Sequence, residues 1–155
     1  MLLRRLILIL CLAGFSSIYA AASEKPFPSL IGDVWAVCGI DRIGTWHETT
    51  LVFTQQTIEG DELVLEGYFD WKGSNGSYGR EFFDGRVHSS GVIRLVGHTL
   101  ENSYRIVNSR YAARLTGDGQ SLIDGKWFDG IPGNWGALRG ANAEEVAALC
   151  EAQTA

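Results

Sequence analysis

His47-Glu48-Thr49-Thr50 begins as a zinc-protease helix would, a histidine followed by a glutamate. That chemistry needs a second histidine four residues after the first, so that two imidazoles reach one metal. Leu51 stands there instead. His88 and His98 lie on separate segments, and nothing in their spacing brings three or four ligands together. Surface or rim histidines are expected, with no metal site and no cofactor.

The acids Asp70, Glu81, Asp84, Asp124 and Asp129 are those from which a glycosidase would draw its carboxylate pair. Most flank glycine-rich turns, where an acid is expected for local hydrogen bonding. Asp118-Gly119-Gln120 lacks the alternating acids and closing glutamate of a calcium loop. Gly73-Ser74-Asn75-Gly76-Ser77 has neither the lysine nor the following helix of a phosphate loop. Ser77, Ser89 and Ser90 sit in no nucleophile elbow. The residues therefore point away from an enzyme, with a carbohydrate hydrolase kept as a third option.

Aromatic side chains are the remaining signal. They fill a small barrel on the simplest reading, because an eight-stranded barrel is just wide enough for side chains or one small ligand. Trp71, Tyr78, Phe128 and Trp135 stand near strand ends and turns, and these four are the candidates for ligand contact.

The chain has 155 residues, room for one domain. Residues 1–22 read as a secretory signal: Arg4 and Arg5, an apolar stretch from Leu6 to Phe15, then Ala20-Ala21-Ala22 as a cleavage site. The apolar stretch is about half of the roughly 20 residues that span a bilayer, so no membrane anchor is expected. Cleavage removes two arginines and no acid, moving the formal charge from −5 to −7. An acidic chain is poorly suited to phosphates, so nucleic acid is not an expected partner. Cys38 and Cys150 remain after cleavage, and in an exported chain they most simply pair. Free thiols or a bridge between two chains are the alternatives.

Turn chemistry recurs from Glu59-Gly60-Asp61 to Asp129-Gly130-Ile131-Pro132-Gly133, with period-2 segments between the breaks. About eight strands are expected, near residues 46–54, 63–71, 79–88, 92–99, 104–107, 110–116, 121–128 and 134–139. No long helix interrupts them, so the expected fold is all-β: a small up-and-down antiparallel barrel over residues 43–139. Residues 23–42 form an extended lead-in, in which Val34-Trp35-Ala36-Val37 makes a short strand or turn. A short helix and tail occupy 140–155, with Asn142 and Glu145 as a capping box and Ala143, Val146, Ala147 and Cys150 on one face.

With Gly44-Thr45-Trp46 in the first expected strand and Arg139 in the last, the chain resembles the calycin superfamily of lipocalins and avidins. The resemblance implies an antiparallel barrel in which Arg139 crosses over Trp46 and a disulfide pins the C-terminal segment. Two further Gly-x-Trp copies occur, ending at Trp127 and Trp135. The positions that hold biotin in avidins do not line up, so that ligand is not implied. Parity raises a question, since Trp46 and the apolar pair Leu51 and Phe53 fall on opposite faces of one strand. A bulge near His47–Thr49 would reconcile them.

The function expected from this is capture of a small, partly apolar molecule at the mouth of a secreted or periplasmic barrel. The alternative is a protein-binding module, such as a hydrolase inhibitor, that works through its loops.

Overall fold

The computed structural model describes residues 27–153. The expected signal at 1–22 lies outside them. The described residues form nine strands: β1 Val34–Asp41, β2 Gly44–Thr45, β3 Thr49–Glu59, β4 Glu62–Lys72, β5 Tyr78–His88, β6 Val92–Tyr104, β7 Arg110–Leu115, β8 Ser121–Trp127 and β9 Gly133–Arg139. They are followed by one helix, α1, Ala143–Ala152. From β3 onward each strand pairs antiparallel with the next, and β1 lies between β3 and β9, the register with β9 running from Trp35↔Arg139 to Ile40↔Asn134. The result is a closed eight-stranded barrel, with β2 a two-residue extension beside the end of β1.

Three expectations change. The barrel begins at Val34 and not at residue 43, because Val34–Asp41 is a full stave paired on both edges. Residues 104–107 form no separate strand: β6 runs through Tyr104 and the chain is then irregular to Ser109. The parity conflict is resolved by a turn at His47–Glu48, after which β3 starts at Thr49 with Thr49, Leu51 and Phe53 buried inside. Trp46 therefore belongs to a mouth loop.

The interior follows the alternation of the sequence. On β4, Leu63, Leu65, Gly67, Phe69 and Trp71 are buried while the residues between them face outward. On β7 the inward set is Tyr111, Ala113 and Leu115. β8 switches face at a bulge, where Asp124 adopts φ 56°, so that Leu122, Gly125 and Trp127 all point inward.

One end of the barrel is plugged. Phe27 and Leu30 are buried beneath it, and Leu30 N donates to Gln56 Oε1 at 2.7 Å. Arg139 Nε donates to Asp33 Oδ2 at 2.7 Å and Arg139 Nη1 to the Ser29 carbonyl at 2.6 Å. Its guanidinium lies 5.9 Å from the ring centre of Trp35. The arginine–indole contact that the resemblance implies is therefore made with Trp35 and not with Trp46.

Helix α1 packs on β1 and β9. Asn142 accepts from the backbone of Glu144 and Glu145, and the Glu145 carboxylate accepts from Asn142 N, the capping box expected from sequence. Leu149 is its buried residue, while Ala143 and Ala147, expected on the packed face, are exposed. Cys150 bonds to Cys38 on β1, with Cα atoms 5.3 Å apart across a sequence separation of 112 residues. Closing a loop of this order contributes about 4.7 kcal/mol on the chain-entropy account.

Candidate functional site

The other end of the barrel is open. There the end of β1, the Trp46 loop, the end of β4 and the loops after β6 and β8 enclose a cavity of about 200 Å³. Its wall comprises Asp41, Ile43, Trp46, Trp71, Arg105, Ile106, Val107, Ser109, Tyr111, Trp127, Asp129, Gly130 and Ile131.

Three indoles shape it. Trp71, from β4, stands nearly perpendicular to Trp46 on one side (5.5 Å between centroids, 81°) and to Trp127 on the other (5.9 Å, 70°). Trp127 lies flat against its neighbours because two positions carry no side chain. A Cβ at Gly133 would sit 2.2 Å from the Trp127 ring, and one at Gly39 would sit 2.6 Å from it. Every indole N–H is already used: Trp46 Nε1 on Asp41 Oδ2 (3.0 Å), Trp71 Nε1 on Glu81 Oε2 (2.8 Å) and Trp127 Nε1 on the Ile131 carbonyl (2.6 Å).

Behind the wall is Glu81, 0% exposed on β5. Its Oε2 accepts from Trp71 Nε1 and from the Tyr111 hydroxyl (2.5 Å), and its Oε1 accepts from Ser109 N (2.7 Å). Three donors on two oxygens suit an ionised carboxylate. Burial nonetheless pushes the Glu81 pKa above the usual range, with the three donors pulling the other way. Burial and the adjacent carboxylate push the Tyr111 hydroxyl well above an ordinary tyrosine. It therefore remains a donor at neutral pH.

Glu81 also sets the shape of the mouth. Arg105 adopts φ 59°, which turns the chain at the end of β6 and lets Ile106 pack on the core. Ser109 N then reaches Glu81, and Ser109 Oγ accepts from Asp129 N at 3.1 Å. Asp129 accepts from both Nε and Nη2 of Arg110, which holds its carboxyl below the usual range. Two mouth loops are thereby tied to one buried carboxylate.

Of the four residues expected to touch a ligand, Trp71 lines the cavity. Tyr78 is half exposed on the outside of the barrel, its ring 6.0 Å from that of Tyr104. Phe128 is half exposed beside the mouth, in a separate shallow depression with Lys126 and Pro132. Trp135 is fully buried in the core, edge-on to Phe69, with Nε1 on the Lys126 carbonyl. Sequence reasoning missed Tyr111, Trp127, Asp41 and Glu81 as parts of one site. Glu81 carried a signal, since it shares the buried phase of β5 with Phe83 and Val87.

Of the acids considered for hydrolysis, Glu81 and Asp129 meet at the open end through Ser109, and the others are placed elsewhere on the barrel. Asp70 pairs with Arg80, Asp124 with Arg114 and Asp129 with Arg110, while Asp84 is exposed and faces His98. Among the described residues no three His, Cys, Asp or Glu side chains converge as metal ligands would, and no helix is long and apolar enough to cross a membrane. Comparison of the chain with protein-family models, with curated proteins and with solved structures returned no match.

Proposed function

We propose that this protein is an exported, calycin-like barrel that holds a small, partly apolar ligand at its open end. The observation that carries the reading is the asymmetry of the barrel. One end is plugged by Phe27, Leu30 and Arg139, whereas the other leaves a cavity walled by three indoles. Small-ligand sites are of this kind, concave and mostly apolar with a few placed polar groups. Export is supported by the Cys38–Cys150 bridge, a bond favoured in oxidising compartments.

The test is titration with N-phenylnaphthylamine, a neutral apolar fluorophore, read by quenching of intrinsic tryptophan emission. Saturable quenching that is lost in Trp127→Leu, with the fold retained by circular dichroism, is the expected result. Absence of saturable quenching in the parent protein refutes the reading.

One observation favours the protein-binding alternative. β6 pairs with β7 only from Val92 to Val96, which leaves its edge beyond Gly97 without a strand partner among the described residues. Such an edge is a template for an added strand. Capture of a partner protein that survives Trp127→Leu and is lost on shortening 98–104 would favour it.

A further inference from the structure

We propose that the open-end cavity selects a small organic cation, a protonated or quaternary amine, and seats it against the aromatic wall. This rests on the reading of that end as a ligand site and names the class of ligand.

An indole presents a positive edge at its N–H and a negative face. At this wall the N–H edges of Trp46, Trp71 and Trp127 are all engaged within the protein, and Trp71 is itself stacked on Phe69 and Tyr111, so what the indoles leave for a ligand is aromatic carbon. The Tyr111 hydroxyl is likewise engaged on Glu81. Two of the indoles and the phenol donate to carboxylates, and such a bond moves electron density into the ring and deepens its negative face. Rings around a desolvated cation form the recognition mode of aromatic cages, where the attraction reaches about 2 kcal/mol.

The charges agree with the rings. The Asp41 carboxylate lines the cavity and accepts from Ile43 N, Gly44 N and Trp46 Nε1, which spreads no positive side-chain charge onto it. Glu81 lies directly behind Trp71 and Tyr111 and has no cationic hydrogen-bond partner. Of the cations nearby, Arg110 is taken up by Asp129. Arg105 lines the cavity as well, with its guanidinium 5.4 Å from the centre of the half-exposed Tyr104 ring. A ligand that must accept hydrogen bonds finds the indole and phenol donors spent. One that carries positive charge finds aromatic rings and the carboxylates of Asp41 and Glu81, with Arg105 the one cation of the wall among the described residues.

Size narrows the class further. A cavity of about 200 Å³ lies below the roughly 300–1,000 Å³ of sites for drug-sized ligands. A headgroup-sized amine fits, and a long lipid chain does not.

The experiment uses the full mature chain and three probes of similar bulk at constant ionic strength: choline, its uncharged isostere neohexyl alcohol, and pivalate. Binding is read by calorimetry and tryptophan emission. Choline is expected to bind about tenfold tighter than the alcohol, and pivalate more weakly than either. In Asp41→Asn the choline affinity should fall at least about fivefold, with the alcohol unchanged as the control for shape. Equal or tighter binding of the alcohol or of pivalate overturns the cation and leaves the ligand site standing. Silence of all three probes while N-phenylnaphthylamine still binds also overturns it. Silence of every probe removes both readings.

Discussion

Gly97 on β6 faces Glu81 on β5 so closely that a methyl group there would lie 1.8 Å from Oε1. The buried carboxylate occupies the space a side chain would take. The two residues also sit at an irregularity in the β5–β6 register, which shifts between Phe82 and Phe83. A carboxylate placed inside the barrel therefore has its donors, its space and a local break in the ladder supplied by three different strands and one loop.

Gly97→Ala should displace Glu81 and cost about 1–3 kcal/mol, the range for overpacking a filled interior. Glu81→Ala should cost about 2–4 kcal/mol, since it strands the Trp71, Tyr111 and Ser109 donors without water. Because both changes damage one arrangement, their combination should cost less than the sum of the two. Urea unfolding of the two single variants and the double variant measures this. Strict additivity would mean that the glycine and the glutamate act separately.

Glu81 also makes a signed contribution to the pH dependence of stability. Burial raises its pKa in the folded chain, so the native state holds this proton more tightly than the unfolded chain does. Its favourable contribution is therefore complete below the unfolded value near about 4.3 and is lost as pH rises through the folded value. Glu81→Gln removes the titration and leaves the exposed carboxylates common to both proteins. The stability of the parent minus that of Glu81→Gln should fall as pH is raised from about 4 to about 8. A difference that stays flat, or rises, would show that the three donors outweigh burial.

The barrel was readable wherever strands have one wet and one dry face. On β4 the alternation of Leu63, Leu65, Phe69 and Trp71 with Val64, Glu66 and Asp70 appears directly in the order of residues. β1 was legible only as a short strand or turn over Val34–Val37, for the same reason in reverse. Trp35 and Val37 are buried, and so is Cys38 next to them, tied to α1, leaving a strand without clean alternation. That stave carries the tryptophan that meets Arg139, whereas the Gly-x-Trp pattern points to Trp46. The cavity was harder to read, because Asp41, Trp71, Tyr111 and Trp127 are far apart in sequence and converge only through strand register. Trp135 and Trp127 both follow a Gly-x pattern, yet register places one in the core and the other at the mouth.

Removing the Cys38–Cys150 bridge should separate stability from site geometry. The bridge ties α1 to β1 on the outside of the barrel, and Cys38 pairs with Gly136 on β9 at that level. A Cβ at Gly136 would lie 2.8 Å from Leu149, so the helix rests directly on the β9 backbone. The double change Cys38→Ala and Cys150→Ala should lower stability by about 2–5 kcal/mol. Exchange of the amide protons of residues 143–152 should accelerate more than that of β4 and β5, because the helix keeps one buried apolar residue, Leu149, to hold it. Neither cysteine lines the cavity at the open end, and its wall is held by Glu81, Gly39 and Gly133. Probe affinity measured where the variant is still folded should therefore match that of the parent. A loss of affinity that parallels the loss of stability would mean that α1 helps to hold the mouth.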